Sequence, residues 1–232
     1  MEFLSVFILF IHIVAGALTL LAGPVAIFYN FRDPRKHRLA GKIFFYAMLV
    51  VCITSIAGYL KHPEQLFFQF LLGIAVLVGA NVLRGVRAIR LMKGGAVTRF
   101  DFTYMIMMGL AGVWMLGMSG RLFFHGTMIA FPILFGVFGL ATTTDFAANF
   151  RSYLHPERLH RLDWYRAHVG AMLGAFTAST TAFTVNAAPF LPWYLQWFGP
   201  TLLILPLQIY FGRMLKRQKS RTLQQTAAIS AG

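Results

Sequence analysis

The sequence predicts an all-α membrane protein, a seven-transmembrane helix bundle with its N-terminus outside and its C-terminus in the cytoplasm, and three observations predict it. The chain is 58% hydrophobic and only 12% charged, where a soluble domain carries about a quarter charged residues. Its apolar residues fall in runs of about 20, the length a helix needs to cross a hydrocarbon core about 30 Å thick. Its 21 Lys and Arg residues lie between or at the ends of those runs.

The spans read 3–29, 43–60, 66–83, 102–119, 124–147, 167–187 and 197–212. The loop after the first span, NFRDPRKHRLAGK, carries five basic residues and the next, KHPEQ, carries one. RGVRAIRLMKGGAVTR has five, SGRLFFHG one, the stretch 148–166 four, AAPFLPWYLQW none, and the tail from Arg213 five. Alternate loops therefore hold nineteen basic residues on one side and two on the other. Positive loops stay in the cytoplasm, which sets the orientation and supports the count of seven, because a missed span would scramble the alternation. Trp193, Tyr194 and Trp197 in the last outer loop suit an interfacial aromatic belt. Residues 1–217 read as one transmembrane domain and 218–232 as a flexible cytoplasmic tail.

The formal charge of +14 reports topology and not a nucleic-acid groove, since no basic cluster lies apart from the loops. The single cysteine, Cys52, can form neither an internal disulfide nor a Cys-based metal site. The first run lacks a positive n-region, carries Glu2 and is as long as a span, so it reads as a mature helix and not as a cleaved signal.

An internal echo joins the two halves. LAGPVAIFYNFR (21–32) aligns with LATTTDFAANFR (140–151) at a spacing of 119, and His37-Arg38-Leu39 answers His160-Arg161-Leu162. The pattern suggests a 3+1+3 parallel repeat, a plan that transporters use around a midplane site.

Polar side chains inside a bilayer are costly unless they face the bundle interior, so they are the candidates for function. On the first helix His12, Gly16, Thr19, Gly23, Ala26 and Asn30 share one face. On the sixth, His168, Ala175, Ser179 and Asn186 share a face, with Thr177, Thr181 and Thr184 opposite. His12, Asn30, His168, Ser179, Thr181 and Asn186 are thus the expected cavity-lining residues. The bland alternative is that His12 bonds across a helix contact and that the hydroxyls bond to their own helix carbonyls. His37, Arg38, Asp145, His160, Arg161 and Trp164 form an expected cytoplasmic mouth for an anion or a gated path, with Asp145 paired to Arg151 or Arg161. Loop cations also serve simply to set topology and meet anionic lipid.

A bis-histidine haem b site needs two imidazoles at similar depth. A rise of 1.5 Å per residue puts His12 about 6 Å outside the midplane, His168 about 12 Å inside it, and His125 about 10 Å beyond His12, so no spacing demands haem. The fourth helix is rich in methionine (Met105, Met107, Met108, Met115, Met118); thioethers bind Cu(I), but these surround the helix and suit packing. No H-E-x-x-H, G-x-S-x-G or Walker loop occurs, so hydrolase and nucleotide chemistry have no support. A retinal protein would need a lysine in the last span, which FGPTLLILPLQIYFG lacks.

HIVAGALTLLAGPVAIFYNFRDPRKHRLAGKIFFY (12–46) resembles the H-x-x-x-G, L-x-x-G-P, H-R-x-x-G-[KR]-x-[FY] pattern of an uncharacterised bacterial family of predicted membrane proteins of unknown function. WYRAHVGAMLGAFTASTTAFTVN (164–186) is similar to a later signature of that family, carried here by Trp164, His168, Met172, Thr181, Ala182, Phe183 and Asn186. The resemblance implies an all-helical membrane fold in a bacterial cytoplasmic membrane, singles out His12, His37, Arg38, Gly41 and His168, and implies no reaction. Two functions stay open on the sequence: a small-solute or proton-coupled transporter, and a redox protein holding haem b or a quinone. A sensor or scaffold is a third. The expected partners are the lipid bilayer and a small molecule or ion, with no metal site and no catalytic residue assigned.

Overall fold

The structure, a computed structural model, describes residues 2–126 and 129–231. Met1, Thr127, Met128 and Gly232, at the ends of the expected domain and tail and within the expected fifth span, lie outside them. The described residues form seven α-helices and no strand: α1 (Glu2–Tyr29), α2 (Pro34–Lys61), α3 (Leu66–Met92), α4 (Arg99–Phe124), α5 (Ala130–Leu154), α6 (Arg161–Ala187) and α7 (Trp193–Ala231). Five of them, α1 through α5, are long and apolar enough to cross a membrane. The first two turns of α6 carry Arg161, Asp163 and Arg166, and its later turns carry Thr177, Ser179, Thr180, Thr181 and Thr184, which dilutes its apolar character.

Large apolar side chains point outward along the bundle, with Leu21 69%, Leu110 66% and Leu203 82% exposed. In water such a surface would aggregate; against hydrocarbon it needs no cover. The chain is a helical bundle of the multi-pass membrane type.

Most helices overrun the expected spans because local chemistry caps them beyond the apolar runs. Asp33 accepts from the backbone N–H groups of Arg35 and Lys36, and Pro34 takes the first position of α2, where its missing N–H costs nothing. Thr98 and Asp101 form a capping box that starts α4, and His160 with Asp163 forms one that starts α6. α3 continues to Met92 and ends on Gly94, whose φ of 88° is left-handed. Arg84 and Arg87, read as loop residues from the sequence, are therefore helical. The expected fifth span begins too early: α4 runs through Phe124 and Gly126 turns the chain with φ 65° before α5 starts at Ala130. At the other extreme α7 runs to Ala231, through residues read as a flexible tail, because nothing between Arg213 and Ala231 breaks a helix.

Successive helices alternate in direction, so the basic loops gather at one end of the bundle. α4 and α5 approach most closely through glycine: a Cβ on Gly139 would stand 2.9 Å from the Leu116 nitrogen, and one on Gly112 would stand 2.9 Å from the Thr143 nitrogen. Met105, Met108 and Met115 of α4 are fully buried in the core, while Met107 faces outward. They fill space between helices and present no convergent thioether set.

Candidate functional site

Two polar clusters form at the basic end. The first ties α3 to α4 and α5. Arg84, 5% exposed, meets Asp145 through two contacts of 3.0 Å and donates to Asn81 Oδ1 at 2.7 Å. Asn149, one turn beyond Asp145, donates to the same carboxylate at 2.7 Å. Asp145 therefore pairs with Arg84, not with the expected Arg151 or Arg161, because the extended α3 carries Arg84 past it. Fully buried Asp101 receives Arg87 Nε at 2.6 Å, a second Arg87 nitrogen, and the Thr98 N–H at 2.8 Å. The Tyr104 hydroxyl lies 3.1 Å from both Asp101 Oδ1 and the Tyr153 hydroxyl. Arg84 Nε is the buried side-chain polar atom left without a partner among the described residues.

The second cluster joins α1, α2, α3 and α6 around two histidines. Asp33 caps α2 at the end of a four-residue connection from α1, which folds His37 back so that its Nδ1 lies 2.9 Å from the Ala26 carbonyl oxygen. His168 Nδ1 lies 2.7 Å from the Gly85 carbonyl oxygen of α3. A carbonyl can only accept, so each Nδ1 carries a proton, and in the neutral tautomer of that kind the lone pair is on Nε2. Neither Nε2 has a hydrogen-bond partner among the described residues. The two rings stand 6.4 Å apart between centroids at 76°. Tyr165 stacks on His168 at 6.2 Å and donates to Asn30 Oδ1 at 3.1 Å, linking the end of α1 to α6. Gly41, one turn beyond His37 on α2, has no heavy atom within 4 Å of where a Cβ would stand.

The expected cavity residues separate. Asn30 and His168 join this cluster, through Tyr165. His12 lies toward the other end and bonds Thr54 of α2 at 2.7 Å. Ser179 donates to the Phe176 carbonyl at 2.9 Å, Thr181 is buried inside the bundle, and Asn186 is exposed and donates to the Ala182 carbonyl at 2.8 Å. Thr177, Thr180 and Thr184 likewise bond to carbonyls four residues back. Of the expected mouth, His37 belongs to the histidine pair and Asp145 to the buried network. Arg38 bonds the Pro34 carbonyl at 3.1 Å, and His160 caps α6. Arg161 and Trp164 line a cleft of about 660 Å³ between the end of α3 and the start of α6. A second cleft, of about 240 Å³, lies between α6 and α7.

Tyr165 and Gly85 went unnoticed in the sequence, as did the acceptor role of Ala26. Tyr165 stands three residues before His168, on the same helix face, and that spacing is the signal that could have found it. No sequence signal names a carbonyl acceptor. No family model, curated protein or solved structure matches this chain.

Proposed function

We propose that the chain is a membrane redox protein that holds haem b between His37 and His168, in a seven-crossing topology with the N-terminus outside and the basic end in the cytoplasm. One observation carries the reading: two imidazoles from different helices, each fixed through Nδ1–H to a backbone carbonyl, stand 6.4 Å apart between ring centroids, and neither Nε2 has a hydrogen-bond partner among the described residues. Metal-ligating histidines are held in this way, the second nitrogen donating to a carbonyl or carboxylate. With metal–nitrogen bonds of about 2.0 Å, imidazoles on opposite sides of one metal stand with centroids about 6 Å apart, against 6.4 Å here. Two imidazoles alone leave a bare ion under-coordinated, whereas His37 and His168 together would hold a haem iron, which would supply one-electron redox chemistry. The family resemblance adds support, since its motif residues include His37, Gly41 and His168.

The orientation follows from the nineteen-to-two division of basic residues, and the crossing of α6 and α7 is part of the proposal. A bacterial cytoplasmic membrane is the setting this implies. Transport is the second reading, favoured by the packing of α1 on α6, where a Cβ on Gly23 would stand 2.5 Å from the Phe176 ring. The hydroxyls of Thr177, Ser179, Thr180 and Thr184 on α6 are bonded to their own helix, which places that reading behind the first.

The test is the absorption spectrum of protein purified in detergent after expression with haem precursor. A Soret band that shifts on reduction, and is lost in both His37→Ala and His168→Ala, is the expected result. A well-folded preparation with no Soret band after haem supplementation overturns the proposal.

A further inference from the structure

We infer that the cleft between the C-terminal end of α3 and the N-terminal end of α6 binds a phosphate-bearing anion of the kind carried by an acidic phospholipid headgroup. The inference rests on the membrane reading of the chain but not on the histidine pair. Lys93 and Arg161 stand on the cleft wall, with Leu91, Met92, Leu159 and Trp164 forming its apolar part. A cleft of about 660 Å³ falls in the range of small-ligand sites, roughly 300–1,000 Å³. That is ample for a headgroup with its glycerol.

The charge balance around it is one-sided. Asp101 is held by Arg87, Asp145 by Arg84, Asp163 by Lys219 at 2.6 Å, and Glu157 faces His155 at 3.4 Å and Arg158 at 3.8 Å. Each carboxylate at this end of α3 to α6 is thus already engaged. Lys93 and Arg161 belong to no ion pair among the described residues. The second cleft, lined by Arg166, Lys216 and Lys219, contains its own counter-charge in Asp163.

The wall is also braced by packing. Trp164, 5% exposed, packs edge-on against Tyr153 at 5.6 Å, and Tyr153 is held to the Tyr104 hydroxyl. An anion entering here meets an Arg fork and a Lys point charge above an apolar wall, without having to displace a bound carboxylate. Basic pockets between membrane helices on the cytoplasmic side recognise headgroups by this chemistry.

Native mass spectrometry of the full chain in detergent, titrated with phosphatidylglycerol, phosphatidylcholine or inorganic phosphate, tests the inference. Phosphatidylglycerol is expected to be retained in preference to phosphatidylcholine. Lys93→Gln/Arg161→Gln should weaken that retention roughly tenfold. Arg166→Gln/Lys216→Gln, which removes the same charge at the second cleft, should leave it within about twofold. Lys93→Arg/Arg161→Lys should preserve it, which separates lost charge from lost fold. Retention of phosphatidylglycerol in excess inorganic phosphate assigns a lipid source; binding of inorganic phosphate alone, sensitive to the same double variant, assigns a soluble one. Equal losses in both Gln double variants, or none in the first, overturn the inference.

Discussion

In the network of α3, α4 and α5 each carboxylate meets a guanidinium, and the tyrosine hydroxyls close the remaining contacts. The histidine cluster satisfies only one nitrogen of each ring, and neither Nε2 has a hydrogen-bond partner among the described residues. Both clusters sit at the basic end, and both use residues that are expensive to bury. The first cluster holds the bundle together, and under the proposed function the second holds a cofactor. A network in which each carboxylate is paired resists change; a pair of rings with one nitrogen each unpartnered can accept a ligand without breaking a contact.

Asp101→Ala should show the largest effect on stability. It strips the partner from Arg87 and removes the capping box of α4 together with the contact to Tyr104. Breaking a buried pair from one side costs about 3–5 kcal/mol, read as a shift in the denaturant unfolding midpoint of the detergent-solubilised protein. Asp145→Ala should cost less, about 1.5–3 kcal/mol, because Asp145 is partly exposed and Arg84 keeps its bond to Asn81. Equal losses would show that the two ion pairs act as one unit and blur the comparison.

His168→Ala sharpens it from the other side. The variant gives up one bond to a carbonyl and the ring contacts with His37 and Tyr165, so its stability should fall by about 1 kcal/mol, while the haem signal disappears. A fall as large as that of Asp101→Ala would make the histidine a structural residue. Gly41→Leu is a purely steric version of the same question. A Cβ at Gly41 would meet no heavy atom within 4 Å, so unfolding should stay within about 0.5 kcal/mol of the parent, as at a surface site. Haem occupancy should drop severalfold. Unchanged occupancy would place the cofactor elsewhere.

Much of the architecture was legible because lipid imposes simple rules. Runs of apolar residues marked each helix, and all seven are present, with α1 to α5 meeting the apolar standard on their own. The ends were less legible, since caps such as Asp33 and Thr98-Asp101 extend helices past the point where hydropathy falls. The site was legible in part. His37, Asn30 and His168 were visible as polar residues, but their meeting depends on how a tight turn folds α2 against α1 and on which carbonyls α1 and α3 present. Pairing by sequence depth directed attention to His12 and His125, because His37 read as a loop residue, outside the membrane. Asp145 was misassigned for the same reason: its true partner, Arg84, read as a loop residue too.

His12 offers the smallest effect and the cleanest contrast. Like His168 it lies within a helix of the bundle, on a face of small residues, yet its Nδ1 bonds the Thr54 hydroxyl, and that hydroxyl also reaches the Val50 and Val51 carbonyls. Removing His12 leaves Thr54 still bonded to its own helix, so no buried group is orphaned. Polar contacts between membrane helices average about 0.6 kcal/mol, and His12→Ala should cost about that, with the Soret band unaltered in position and intensity. If His12→Ala abolishes the band while His37→Ala does not, the iron lies toward the outer end of α1, and the distinction drawn between the two histidines reverses.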